Sequence, residues 1–207
     1  MNKKIGILDY GMGNIHSVYN ALVHLGLDAE IVNQPEAIQS CSHLIIPGVG
    51  SYANAMSKLT NQGLDVAIIE HAQKDKPLLG ICLGMQILSE KGDEGEQTFG
   101  LGLIKGHVKL LDVPPLPVPH VGWNSLTFNA DHPLFNQVKK HVDFYFVHSY
   151  FFSATDEENV LAYTDYGTFF PAIVVNQNVI GIQFHPEKSQ DNGLLLIENF
   201  CEWDGTC

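Results

Sequence analysis

Short apolar runs alternate with stretches of helical spacing along the first half of the chain, and the alternation is regular enough to name the elements. Lys4–Asp9 reads as a first strand, running into Tyr10-Gly11-Met12-Gly13-Asn14. Ile15, Val18, Ala21, Leu22 and Leu25 then recur along one face, so Ile15–Leu25 reads as an amphipathic helix with Gly26 as its C-terminal stop. Leu27–Val32 predicts a second strand and His43–Ile46 a third, which opens into Pro47-Gly48-Val49-Gly50-Ser51. Ser51 is placed to cap a helix over Ala53–Leu59, and a second helix follows over Leu64–Gln73. After Pro77 the run Leu78-Leu79-Gly80-Ile81 is apolar without alternation, as in a parallel strand buried on both faces. Strand, helix, strand, short helix, strand, two helices, strand is the order of a doubly wound sheet, which opens a crevice at its strand C-termini.

Past Ser89 the texture changes. Gly92-Asp93-Glu94-Gly95-Glu96 reads on composition as a solvated acidic loop. Leu101–Leu111 and Trp123–Phe128 predict short strands on either side of a proline-rich Val113–Pro119, and Asp143–Val147 a further one ending in His148-Ser149-Tyr150. Phe169–Val175 and Asn178–Phe184 predict a pair joined at Gln177-Asn178, and Asp191 is placed to cap a last helix over Leu194–Phe200. The expected architecture is α/β: a doubly wound, mostly parallel central sheet with flanking helices and a smaller antiparallel β region. No repeat or linker divides the chain, so residues 1–207 read as a single domain.

Composition narrows the partners. Apolar residues make up 45 % of the 207, ample for one core, and none of the runs approaches the ~18 residues a membrane span needs. The net charge is −12, and all 11 basic residues are lysine. Without arginine the chain lacks the usual bidentate reader of guanine and the best phosphate fork, which argues against nucleic acid and anionic membrane partners. Met1–Ile5 carries no apolar leader or small-residue cleavage site, and the 4 cysteines show no metal-ligand spacing. Cys41, Cys82, Cys201 and Cys207 are therefore expected as free thiols in a reducing cytoplasm, with no metal site.

Two constellations carry chemistry. Gly80-Ile81-Cys82-Leu83-Gly84 sits between the fourth strand and Met85-Gln86-Ile87-Leu88, which reads as the start of a helix. A Gly-x-Cys-x-Gly turn there is the thiol counterpart of the serine nucleophile elbow, and a helix N-terminus beside the sulfur favours thiolate. A buried, inert cysteine is the ordinary alternative. The second constellation is His185-Pro186-Glu187, delivered by an apolar strand to the same sheet edge. Residues two apart in an extended segment face one way, so Glu187 can hold one imidazole nitrogen of His185 while the other addresses a nucleophile. Gly11-Met12-Gly13 after the first strand lacks the third glycine of a dinucleotide fingerprint and is set aside.

Gly80-Ile81-Cys82-Leu83-Gly84-Met85-Gln86 together with Gln183-Phe184-His185-Pro186-Glu187 resembles the signature of the class I (triad) glutamine amidotransferases. Asp9–Asn14, Pro47–Gly50, Pro119–Asn124 and Tyr145–Tyr150 extend the likeness over nearly the whole chain, toward members that act as separate glutaminase subunits. The resemblance implies a flavodoxin-like fold and a triad of Cys82, His185 and Glu187. It implies an oxyanion hole from the N–H of Leu83 and the loop carrying Val49 and Gly50, with glycines that permit a peptide flip. Glutamine would be held by Gln86, Glu94 and the backbone at His148, Ser149 and Tyr150, with no cofactor. The implied partner is a closed (β/α)8 cyclase subunit that receives ammonia in a heterodimer, met by Tyr10–Asn14 and His120–Asn124, with Asn14, Trp123 and Lys188 at the contact. Three other readings stay open: a glutaminase serving a different synthase, a cysteine hydrolase on a similar sheet, and an amidotransferase-like module that binds without catalysing.

Overall fold

The computed structural model describes residues 3–206; Met1, Asn2 and Cys207, the last expected as a free thiol, lie outside them. The first half of the chain winds as β1 (Ile5–Leu8), α1 (Ile15–His24), β2 (Ala29–Val32), α2 (Pro35–Ser40), β3 (His43–Gly48), α3 (Tyr52–Asn61), α4 (Leu64–Gln73), β4 (Leu78–Cys82) and α5 (Leu83–Gln86). The second half is mostly β: β5 (Lys91–Gly92), β6 (Thr98–Phe99), β7 (Gly106–Leu110), β8 (His120–Ser125), β9 (Thr127–Phe128), β10 (Asp143–His148), β11 (Tyr150–Ala154), β12 (Val160–Asp165), β13 (Phe169–Asn176) and β14 (Val179–Ile182), closed by α6 (Gln190–Glu202).

One sheet of 8 strands, in the order β2-β1-β3-β4-β14-β13-β12-β9, forms the middle of the molecule. Its first five strands pair in parallel and the remainder antiparallel, so the sheet is mixed, with its parallel half carrying the winding. Side chains alternate between two cores. Leu44, Ile46 and Leu78 pack with Met56, Leu59, Leu64 and Ile68 of α3 and α4 on one face. Ile5, Ile7, Ile45, Leu79 and Ile81 pack with Val18 and Leu22 of α1 and Leu196 and Phe200 of α6 on the other. Both faces are apolar because both are covered, which is why the strands read as runs and not as alternation. The smaller β region is two pieces, an antiparallel β8–β10 pair and a sheet β11-β7-β5-β6 that is mixed and not wholly antiparallel as expected, because β5 runs parallel to β7.

Five local expectations change. The helix after Cys82 lasts one turn: the N–H groups of Leu88 and Ser89 tighten onto the i−3 carbonyls of Met85 and Gln86, the Glu90 N–H donates to Gly106, and the carbonyls of Ile87 and Leu88 accept from Leu101, Leu103 and Ile104. Those same bonds hold Leu101–Lys105 outside the strand predicted there, leaving only β7. Trp123–Phe128 is not one strand, because the chain changes partners at Leu126, from β10 to β12. The last helix begins at Gln190, so Asp191 lies inside its first turn; Ser189 is the cap residue, and its hydroxyl is engaged elsewhere. Ser51 does precede α3, but it makes no side-chain cap bond; the Tyr52 N–H donates instead to Glu94 Oε2 at 2.6 Å.

Candidate active site

Cys82 is the last residue of β4 and holds φ +56°, ψ −111°, a region that costs a non-glycine residue about 1–3 kcal/mol. The sharp turn is possible because strand and following turn touch backbone to backbone. A Cβ on Gly84 would run into the Ile46 carbonyl oxygen, and one on Gly80 into the Gly84 backbone. The strained elbow is thus held by packing on both of its glycines. Its electrostatics differ from the sequence expectation, since α5 is four residues long and brings almost no helix dipole to the sulfur.

Sheet register assembles the rest. Gly48 pairs with Cys82 across β3 and β4, which sets the Val49–Gly50 loop directly beside the elbow, with Gly50 at φ +104°. Ile182 pairs with Ile81 across β14 and β4, so the segment leaving β14 reaches the same edge with His185. Beyond His185 the chain does not stay extended: Pro186–Lys188 is a 3-10 turn, and it folds the Glu187 carboxylate back onto the imidazole. Glu187 Oε1 accepts from His185 Nδ1 at 2.8 Å, with the two side chains 1 % and 3 % exposed. His185 is fixed through its backbone as well. Its N–H donates to the Tyr145 carbonyl at 2.9 Å, and Ser189 Oγ donates to its carbonyl at 2.6 Å while accepting from the Tyr145 N–H at 2.9 Å.

With Nδ1 engaged, His185 Nε2 is a buried nitrogen with no hydrogen-bond partner among the described residues, in the cavity that Cys82 also lines. Burial works against the charged imidazole, but the Cys82 sulfur and the Glu187 carboxylate outweigh it and raise its pKa to about 9. The group beside the Cys82 sulfur is therefore a carboxylate-held imidazole and not the end of a long helix.

The cavity measures about 260 Å3 and is lined by Val49, Gly50, Cys82, Leu83, Gln86, Glu94, Ser149, Tyr150 and His185, with Val147 and His148 completing the wall. Two of the expected substrate contacts are already partly committed. Both Gln86 amide hydrogens are used, on the Tyr150 carbonyl at 2.8 Å and Gln183 Oε1 at 3.2 Å, which leaves its carbonyl oxygen for a ligand. Glu94 spends one oxygen on α3, so the acidic loop is anchored and not merely solvated. Asn14, Trp123 and Lys188 lie outside the cavity. Trp123 is 48 % exposed and sits edge-on to Tyr145, over whose ring Lys188 Nζ lies at 5.9 Å. Asn14 starts α1, its Oδ1 accepting from Ser17, and α1 packs against the Pro186–Lys188 turn.

Sequence reasoning missed Gln183, Ser189 and the side chains of His120 and His148. Gln183 is fully buried with Nε2 4.0 Å from Cys82 Sγ, and a lone amide in an otherwise apolar run was the available signal. A wider hollow of about 710 Å3 beside His132, Phe135 and Trp203 brings no nucleophile. Among the described residues there is no cluster of His, Cys, Asp and Glu able to hold a metal, and no helix long and apolar enough to cross a membrane.

Comparison with known proteins agrees with this geometry. Solved structures share the fold at low identity: a glutamine amidotransferase (22 % identity, TM-score 0.71, 95 % of this chain and 98 % of that one) and PurLQS from Thermotoga maritima (21 %, TM-score 0.74, 98 % and 99 %). The chain is 46 % identical over 198 residues to the imidazole glycerol phosphate synthase subunit HisH of Caldanaerobacter subterraneus, covering 96 % of this chain and 97 % of that one. It is 46 % identical over 202 residues to the subunit of the same name from Methanosarcina acetivorans, covering 97 % and 98 %. The model of the family glutamine amidotransferase class-I matches residues 6–202, which takes in the elbow, the Val49–Gly50 loop and the His185–Glu187 pair. With the family model and these relatives covering nearly the whole chain, and Cys82, His185 and Glu187 brought to one sheet edge, the chain belongs to the class-I glutamine amidotransferase family.

Proposed function

We propose that the whole chain, residues 1–207, works as one domain: the glutamine-hydrolysing subunit of an imidazole glycerol phosphate synthase in histidine biosynthesis, in the cytoplasm. The observation that carries the chemistry is the shared cavity of Cys82 and His185, with Glu187 holding the far nitrogen at 2.8 Å. Cys82 thiolate attacks the side-chain carboxamide carbon of L-glutamine. The imidazolium of His185 protonates the departing nitrogen, ammonia leaves, and a glutamyl thioester remains on the sulfur. The now neutral His185 takes a proton from water, whose oxygen attacks the thioester and releases glutamate. Leu83 N–H and a donor from the Val49–Gly50 loop serve the tetrahedral oxyanion; a missing donor costs on the order of a hundredfold or more in rate, which makes the Gly48–Gly50 segment, whose glycines permit a peptide flip, a natural point of control.

The chain is badly equipped to hold a bis-phosphorylated sugar, having no arginine, so a separate cyclase subunit, expected as a (β/α)8 barrel, takes the ammonia and makes imidazole glycerol phosphate. Trp123, Lys188 and Asn14 form the contact face in this reading. The test is glutamate release with and without the cyclase and its nucleotide ligand: low turnover alone, a large rise in the complex. Cys82→Ala abolishes glutamine use while the complex still runs on added ammonium; glutamine-dependent synthesis surviving in Cys82→Ala removes the nucleophile from this account. Equal turnover with and without cyclase points to a stand-alone hydrolase instead.

A further inference from the structure

Two histidines outside the triad stand end to end behind the glutamine subsite. His148 Nδ1 is 2.9 Å from the Tyr150 carbonyl, His148 Nε2 is 3.0 Å from His120 Nδ1, and His120 Nε2 is 3.5 Å from Asn124 Nδ2. A carbonyl only accepts, so His148 Nδ1 carries the hydrogen and its Nε2 does not. His120 must then donate from Nδ1, which leaves its Nε2 to accept from the Asn124 amide. The tautomers follow one from another, and all the donors point the same way. Both rings are buried, 2 % and 6 % exposed, and burial holds each down at about 4, so neither is charged at neutral pH. His120 is fixed in plane between Tyr166 and Phe146, at ring separations of 4.0 and 4.9 Å.

The two ends of this chain of bonds matter. At one end the Tyr150 carbonyl accepts both from His148 and from Gln86 Nε2, so any turn of the backbone there breaks a part-buried bond in the wall of the Cys82 cavity. At the other end lies β8, which alternates: His120 and Asn124 face inward, while Val121 and Trp123 are 55 % and 48 % exposed on the outer side. We propose that His120 and His148 are positioning residues, a one-way relay of neutral imidazoles that ties β8 to the Tyr150 carbonyl and so holds the glutamine subsite in shape. The assignment rests on the glutaminase reading above, and it makes β8 the element through which a partner seated at Trp123 is felt at the substrate.

The decisive measurements are glutamine-dependent and ammonium-dependent turnover of the assembled complex. His120→Leu leaves His148 Nε2 a buried acceptor without a donor and frees the ring to leave Tyr150. KM for glutamine rises about tenfold, kcat changes by less than about threefold and the ammonium reaction is untouched. His120→Asn, which returns an N–H near the Nδ1 position, restores KM to within about threefold of the unaltered complex. A His120→Leu complex with unchanged KM, or a His120→Asn complex no better than His120→Leu, overturns the relay. Should His120→Leu not fold, the imidazole 15N resonances of the unaltered chain decide: protonated Nδ1 on both rings at neutral pH supports the relay, and protonated Nε2 on either one overturns it. If the unaltered complex releases no glutamate from glutamine, the glutaminase reading falls, and the nitrogen resonances still judge the relay separately.

Discussion

A carboxylate two residues beyond an imidazole is a small device, yet it settles the imidazole's proton. Glu187 accepts at His185 Nδ1, so the nitrogen that carries no other bond is the one in the cavity with Cys82. Because the folded pKa is raised, to about 9 from an unfolded value of 6.5, the ion pair adds stability that is fully present below the unfolded value. That stability, and the general acid with it, is lost as pH rises through about 9. Glutamine hydrolysis by the complex accordingly declines on an alkaline limb near pH 9. In Glu187→Gln the amide oxygen can still accept from Nδ1–H, but the negative charge that holds the imidazolium is gone; kcat falls on the order of a hundredfold and the limb moves to lower pH. A pH–rate profile of the two complexes checks both, and an unmoved limb in Glu187→Gln separates Glu187 from the ionisation of His185. At this scale the pair was legible before any coordinates because its members are adjacent in the chain. The reason given for it was wrong: they meet across a 3-10 turn and not along an extended segment.

Among elements, the contact of β4, α5 and β3 has the least slack. Glycine at position 84 is demanded by the Ile46 carbonyl oxygen, which no side-chain rotation can move aside. Gly84→Ala therefore destabilises the fold by about 1–3 kcal/mol or more, read as a lowered urea midpoint, and shifts Cys82 out of line with His185. A midpoint within error of the parent would mean that the elbow is looser than its packing implies. The brevity of α5 belongs to this scale too. Nothing in Met85-Gln86-Ile87-Leu88 announces a stop, since the carbonyls of Ile87 and Leu88 are captured by residues more than a dozen positions later.

At the scale of the molecule, one face beside Cys82 and His185 carries Trp123 against Tyr145, with Lys188 above that ring and α1 beside the Pro186–Lys188 turn. Tyr145 is also the residue whose backbone clamps His185, so this face and the site share a strand. The proposed cyclase contact predicts that Trp123→Ala weakens complex formation by about 2 kcal/mol, as expected of a central aromatic anchor. Calorimetric titration with the cyclase measures it. The urea midpoint of the isolated chain stays near the parent value, because the side chain is already half in solvent.

Chain order alone determined the parallel half of the sheet and the placing of Cys82 and the His185–Glu187 pair at its edge. Buried parallel strands, glycine-bracketed turns and a histidine with its own acid are local patterns, written in neighbouring residues. Tertiary structure decided what depends on partners far apart in sequence. It joined Gln86 to Tyr150 and Gln183, tied Glu94 to the start of α3, split β8 from β9, ended α5 after one turn and stood His120 against His148. Those are hydrogen bonds of polar groups wholly or partly withdrawn from water, and such a group must find a partner wherever the fold brings one within about 3 Å, however distant along the chain.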